Sequence, residues 1–303
     1  PGVPLGEALT RALDEALARD DSVVVLGPDA GRRGGSHGIT RGLQGRYGAR
    51  RVIDVPAVGP GLAGAAVGAA LCGLHPVIEV PAEALPGVMG LLAGHGAAPP
   101  ASLPLLIRVP GRGDEAAPGL ASLPGATVVT PASAAAGGAL LALALRHHGL
   151  VLFVEPVSLY PSADAPVGDD EWLPDRARLG RSGTDVTVVA WGAGVGPALQ
   201  AAEEAAAAGI SAEVLDLQTL RPLDAESVFA SVARTGRLVM ALSGPGGGEI
   251  GAELAARVAE GALWHLDAPV RRVGPGVGEP GGKDSARPLA ADILAAVLSL
   301  AST

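Results

Sequence analysis

The stretch 185-DVTVVAWGAGVGPALQAAEEAAAAGISAEVLDLQTLRPLD-224 decides the fold. Val186, Val188 and Val189 make a short β-branched run, which ends in the glycine turn Gly192-Ala193-Gly194. An alanine-rich helical segment follows, then a second apolar run, Ala212 to Leu215. Strand, helix and strand joined by short loops form the unit from which parallel sheets are built. Downstream the alternation continues. LDAESVFASVARTG (223–236) reads as a helix, RLVMALS (237–243) as a strand and GAELAARVAEGALWHL (251–266) as a helix. APVRRVG (268–274) is a strand, and LAADILAAVLSLA (289–301) is a closing helix.

Upstream the same grammar appears once more. LGEALTRALDEALARDD (5–21) has apolar residues at helical spacing, and SVVVLG (22–27) is a strand ending in a turn. GITRGLQGRYG (38–48) looks like a short helix and RVIDVP (51–56) a strand. GPGLAGAAVGAALCGLHP (59–76) is a helix carrying Gly61, Gly64 and Gly68 along one side. VIEVP, LLIRVP, ATVV and LVLFVEP are further strands, and a helix lies between the last two. Residues 161–183 break the pattern with a polar, acidic, proline-bearing stretch, read as a boundary or linking hairpin. The expectation is an α/β protein of two domains, residues 1–165 and 184–303, each a mainly parallel sheet flanked by helices.

Bulk properties narrow the function classes. The chain has 303 residues, 48% hydrophobic and 2% aromatic, so its core is built from Ala, Val and Leu. Net charge is −9 and Lys283 is the sole lysine, which argues against a phosphate-backbone partner. Apolar runs are interrupted by Gly, Pro or charge, so no membrane span is expected. The single cysteine, Cys72, excludes an intrachain disulfide and a multi-cysteine zinc site. A cytoplasmic location is expected.

Two stretches, 45-GRYGARRVIDVPAVGPGLAGAAVGAALCGLHPVIEV-80 and the opening one extended to Met240, resemble the beta subunits of thiamine-diphosphate-dependent 2-oxoacid dehydrogenases, in the transketolase superfamily. PGATVVTPAS and LVLFVEPVSLY match the end of that family's first domain, and the resemblance spans about Leu5 to Leu300. It implies a pyrimidine-binding-type domain followed by a transketolase C-terminal-type domain. It also implies thiamine diphosphate with magnesium, shared with an alpha-type partner whose G-D-G motif and later Asn hold the diphosphate and metal. This sequence has no G-D-G and no asparagine. A second beta copy, against the Gly61, Gly64 and Gly68 face, and a lipoyl or acyl-carrier protein are further implied partners. Close helix–sheet packing within one chain is the other reading of those glycines.

The family pattern D-T-P-x-x-E-x-G here reads Asp54-Val55-Pro56-Ala57-Val58-Gly59-Pro60-Gly61. In the family the glutamate hydrogen-bonds the cofactor's aminopyrimidine and so promotes ylid formation. Gly59 holds its place, and no acid occurs between Asp54 and Glu79. The resemblance assigns Val58, Gly59, Pro60 and Leu62 to the cofactor's pyrimidine side and leaves the catalytic acid without an assignment. Two further departures cluster there. PAEALPGVMGLLAGHG (81–96) lacks the family's Phe-rich segment, and GRGDEAAPGLASLPG (111–125) lacks its histidine loop. A catalytically degenerate assembly or regulatory subunit is the alternative expectation.

Other candidates are read as structural. His75 is taken as a surface or interface residue, and His95 as a loop residue. His147 and His148 suit a helix C-terminus, where imidazolium is favoured. Asp114 and Glu115 read as an exposed turn. Glu79 is a strand-end carboxylate needing partners. The Gly-rich SGPGGGEIGAEL (243–254) is a weak phosphate-cradle signal. Trp172, Trp191 and Trp264 are read as packing residues.

Overall fold

A computed structural model describes residues 2–56, 59–94, 103–111, 123, 125–162, 176–243, 248–274 and 290–302. The described residues form two compact units, one within residues 1–172 and one within residues 173–303.

The first unit runs α1 (Leu5–Arg19), β1 (Val23–Gly27), α2 (Leu43–Tyr47), β2 (Val52–Asp54), α3 (Pro60–Leu71) and β3 (His75–Glu79). It continues with α4 (Leu85–Gly94), β4 (Leu105–Gly111), β5 (Thr127–Val129), α5 (Ala134–Ala144) and β6 (Leu150–Pro156). Its strands lie in the order β5-β6-β4-β3-β1-β2, and the pairings among them are parallel. Both faces are covered, so β1, β3, β4 and β6 are buried along their whole length.

Leu5, Leu9, Leu13 and Leu17 recur every four residues, giving α1 one apolar stripe that packs onto the sheet with Val25, Val77 and Phe153. Helix α5 lies close against α1 because Gly137 and Gly138 lack side chains. A Cβ on Gly137 would fall 2.2 Å from Leu5 Cδ1, and one on Gly138 3.4 Å from Ala8 Cβ. Arg51 closes the end of α1, its guanidinium donating to the carbonyls of Leu17, Asp20 and Val23 at 2.7–3.1 Å.

The second unit holds β7 (Arg178–Arg181), β8 (Val186–Ala190), α6 (Val195–Ala207), β9 (Ala212–Asp216), β10 (Thr219–Arg221) and α7 (Ala225–Thr235). It ends with β11 (Leu238–Ala241), α8 (Gly248–Gly261), β12 (Arg271–Val273) and α9 (Ala290–Ala301). The sheet order is β12-β11-β8-β9-β7. Strand β7, inside the stretch read as a boundary or hairpin, is an antiparallel edge strand paired to β9. Buried hydroxyls tie α7 to the sheet: Thr187 Oγ1 lies 2.6 Å from Ser231 Oγ and 2.7 Å from Thr235 Oγ1. Among the described residues, no helix is long and apolar enough to cross a membrane.

Asp216, at the end of β9, is buried. Desolvation pushes its pKa up to about 7, although the Gln218 N–H donates to it at 3.2 Å. A raised folded value means the linked stability is complete below the unfolded carboxylate's value, ~4, and is lost as pH rises through the folded one. Asp216→Asn is expected to flatten that loss between about pH 5 and 8, read by urea unfolding at each pH.

Candidate functional site

In open parallel sheets, ligands bind beyond the carboxyl ends of the strands. In the first unit that edge is formed by the ends of β1, β2, β3, β4 and β6 and by the start of α3.

Gly59 immediately precedes α3, with φ +69° and ψ −136°. Side-chain-bearing residues are strongly strained in that region. A Cβ there would lie 3.7 Å from Ala84 Cβ, which is ordinary contact, so the constraint is the backbone and not the space. Pro60 follows at the first helical position and is exposed, and Leu62 is wholly buried. No side chain caps the helix. What Gly59, Pro60 and Leu62 offer to a ligand is therefore backbone and the proline ring. Val58 lies outside the described residues.

The acids at this edge are already engaged. Asp54 Oδ1 accepts the N–H of Gly31 at 2.7 Å and of Arg32 at 3.3 Å. The Gly31 hydrogen bond is the main cause of its lowered pKa. Asp54 thus pins the turn after β1. Glu79 pins the next residues of that turn, its Oε1 accepting the Ser36 N–H at 3.0 Å. Gly35 sits so close, at φ +73°, that a Cβ would fall 2.9 Å from Glu79 Oε2.

Behind Glu79 lies a buried ionic cluster that the sequence reading did not identify. The register places Glu79 beside Arg108 and Glu155 beside Pro110. Arg108 is 1% exposed and Glu155 is fully buried. Arg108 donates through Nε and Nη2 to the two Glu155 oxygens at 2.6 and 2.7 Å, and through Nη1 to Glu79 at 3.3 Å. Tyr160 donates to Glu155, and the His37 ring stands edge-on to Tyr160 at 5.4 Å. Burial opposes the charge on Glu79, yet Arg108 and Ser36 outweigh it and lower the pKa. Three strand ends each carry one charged residue, and that coincidence in VIEV, LLIRVP and LVLFVEP was the available signal.

The described residues at this edge therefore do not fit the ylid-forming half of a thiamine site. The place of the acid is a glycine in a conformation that disfavours any side chain, and Asp54, Glu79 and Glu155 are held by other groups. Asp114, Glu115, His95 and Trp172 lie outside the described residues, as do residues 244–247 of the Gly-rich 243–254 stretch, whose remainder from 248 on opens α8. Within that stretch Ser243 Oγ donates to the Trp191 carbonyl at 3.3 Å.

Other readings resolve individually. Gly61 and Gly68 on α3 are exposed, and a Cβ on Gly64 or Gly68 would meet nothing within 4 Å. Close helix–sheet packing is therefore not what those two glycines serve. His147 and His148 are exposed beyond the end of α5. His75 is buried at the first residue of β3, which corrects its surface reading. Trp191 is buried as expected. Trp264, 94% exposed on a single 3-10 turn, does not pack within this chain.

Comparison with known proteins agrees with this architecture. Residues 2–80 match the transketolase pyrimidine binding domain, and residues 175–291 match the transketolase C-terminal domain. The chain is 37% identical over 290 residues to the pyruvate dehydrogenase E1 component subunit beta of Leifsonia xyli subsp. xyli, covering 89% of this chain and 86% of that one. To its counterpart in Acholeplasma laidlawii it is 36% identical over 292 residues, covering 90% and 89%. A solved structure described as a split gene transketolase, inactive beta4 tetramer, superposes with a TM-score of 0.79 at 26% identity, covering 100% of this chain and 99% of that one.

Proposed function

The chain belongs to the beta subunits of the thiamine-diphosphate-dependent 2-oxoacid dehydrogenases, and on that premise we propose that it is the beta half of a heteromeric enzyme acting on a 2-oxo acid or ketose-like donor. The reaction is decarboxylation, or transfer of an acyl or two-carbon unit. The observation that carries this reading is the match across both domains to pyruvate dehydrogenase E1 beta subunits.

The partner is an alpha-type subunit. It supplies the diphosphate and magnesium site, for which this sequence has neither G-D-G nor asparagine. Thiamine diphosphate is shared between the two chains. Val58, Gly59, Pro60 and Leu62 are the residues assigned to its pyrimidine side, where Gly59, Pro60 and Leu62 offer backbone and the proline ring. A lipoyl or acyl-carrier protein receives the product, and the assembly is cytoplasmic. Co-purification with an alpha-type chain tests the reading; a chain that stays alone with every such candidate sinks it.

A second copy of this chain docks on the α3 face. The exposed Gly61 and Gly68 and the open space at Gly64 and Gly68 support this, as does the tetrameric beta assembly of the split transketolase. Gly68→Trp is expected to abolish that association without unfolding the chain. Gly68→Ala should stabilise the dissociated chain by about 0.5–1 kcal/mol through helix propensity. Sedimentation checks the first and urea unfolding the second. Unchanged assembly in Gly68→Trp would remove the α3 face from the interface.

Gly59 favours one other reading, a subunit kept for assembly or regulation. It fails if the reconstituted complex turns over a 2-oxo acid well.

A further inference from the structure

Helix α5 (Ala134–Ala144) holds no polar side chain, yet its own chain does not enclose it. Ala139 is exposed, and Ala135, Ala142 and Leu143 are half-buried. A helix that is apolar on every side belongs inside a structure. The inner side of α5 meets α1 and the sheet in a core cluster that contains no described residue of α3. The α1/α5 face and the α3 face are therefore separate surfaces.

An outward groove of about 360 Å³ runs between α1 and α5, floored by Ala8, Ala12, Ala135, Gly138 and Ala142. It continues into a cavity of about 330 Å³, which shares Ala12, Glu15 and Ala142 with it and is lined by His75. His75 is 7% exposed, and its Nε2 is buried with no hydrogen-bond partner among the described residues. Buried polar atoms are nearly always paired, so this ring nitrogen calls for a group from outside. Donors and acceptors mix at that end. The Arg19 and Arg146 guanidiniums line the cavity, and the carbonyls of Ala18, Arg19 and Ala142 accept from no described N–H. A mixed rim of this kind suits a peptide surface better than an ion of either sign.

The α1 rim of the groove is charged in a regular order. Glu7, Arg11, Glu15 and Arg19 are exposed and four residues apart, so they form one ridge of alternating sign. That order is its own complement. When a second α1 runs antiparallel about a two-fold axis level with Leu13, Glu7 meets Arg19 of the partner subunit and Arg11 meets Glu15 of the partner subunit, each pair occurring twice. The same operation sets Val3 of the partner subunit opposite Val23. Val3 lines the groove and Val23 lines the His75 cavity, so peptide N–H and C=O groups arrive at the end that holds the orphaned nitrogen.

We propose that the α1/α5 face is a further homotypic interface, on which another copy of this chain docks with its α1 antiparallel. The Ala and Gly floor permits close approach, and the alternating ridge sets direction and register. The contact uses no residue of α3 or of the carboxyl edge, so it stands independently of the thiamine reading and of the α3 contact. A chain that makes both contacts assembles beyond a dimer, as four copies when it closes.

Sedimentation equilibrium of the full chain and its variants is the test. With both contacts present, the wild type is expected as four copies. Arg11→Glu sets like charges against each other at two symmetry-related places and is expected to weaken this contact about tenfold, which gives two copies at a concentration between the two dissociation constants. Arg11→Glu combined with Glu15→Arg makes every pair across the axis opposite in sign again and is expected to restore the wild-type assembly. Ala139→Glu puts a charge on the exposed side of α5 and is expected to break the same contact with circular dichroism unchanged. Gly68→Trp reads α3 separately. A two-copy wild type that Gly68→Trp leaves intact and Arg11→Glu makes monomeric would support this interface and remove only the α3 one. A wild type no larger than Arg11→Glu would overturn the proposal, as would a double exchange that fails to restore what the single one lost.

Discussion

Arg108→Met is expected to destabilise the chain by about 3–5 kcal/mol in urea unfolding at pH 7, the largest effect foreseen for a single side chain here. The reason is what the substitution leaves behind. Arg108 is 1% exposed and is the shared partner of two carboxylates, at 2.6 and 2.7 Å from Glu155 and 3.3 Å from Glu79. Without it both acids stay in a water-poor interior with no cation among their described contacts. They must take up protons or draw water into the sheet edge. Most of the loss comes from that uncompensated charge, not from a favourable net energy of the pair. The triple replacement Arg108→Met, Glu79→Gln, Glu155→Gln is therefore expected to recover a large part of it.

The wild-type cluster also sets a pH signature. The folded pKa of Glu79 is lowered, because Arg108 and the Ser36 N–H outweigh the cost of burial. Its contribution is present above the unfolded glutamate value, ~4.3, and is lost as pH falls through the lower folded value. Glu79→Gln should remove that part of the acid sensitivity. A destabilisation below about 1 kcal/mol for Arg108→Met would show that the cluster is solvated and that this account of it is wrong.

Gly59→Glu is expected not to restore the family's acid. The backbone at Gly59, φ +69° and ψ −136°, costs a side-chain-bearing residue about 1–3 kcal/mol. Gly59→Ala is expected to lose about as much, because the penalty comes from the dihedral angles and not from the carboxylate. The space near Ala84 Cβ is not the obstacle, since contact there would be 3.7 Å. Urea midpoints of the two variants, together with thiamine diphosphate binding by each reconstituted pair, separate backbone strain from chemistry. If Gly59→Glu were as stable as the wild type and bound cofactor more tightly, the replacement would be a simple side-chain loss.

Much of the architecture could be read from pattern. The four-residue spacing of Leu5, Leu9, Leu13 and Leu17 specifies one buried stripe, and the valines of β8 followed by Gly192 and Gly194 specify strand, turn and helix. Helix α4 escaped because Pro86, Gly87 and Gly90 are poor helix interior residues, and here packing overrides propensity. Strand β7 escaped because it is four residues long and carries Arg178 and Arg181, the composition of a protected edge. His75 was read as a surface or interface residue, yet it is 7% exposed. Its burial depends on α1 and α5, which are distant in sequence. At the candidate site, the missing acid was visible directly from Asp54-Val55-Pro56 and Gly59. The conformation that disfavours its return was not, because backbone dihedral angles are not written in composition. The Arg108 cluster needed strand register to bring Glu79, Arg108 and Glu155 together, although a charge in each of three apolar strands was a readable clue.

The central claim is a thiamine diphosphate site completed by an alpha-type chain. The most direct measurement is a calorimetric titration of thiamine diphosphate and magnesium into this chain alone, into an alpha-type subunit alone, and into the two together. Saturable binding by the pair, with neither chain alone binding comparably and both eluting as one species, is the predicted result. Equal binding by the isolated chain, or a pair that forms no complex and binds no cofactor, would contradict it.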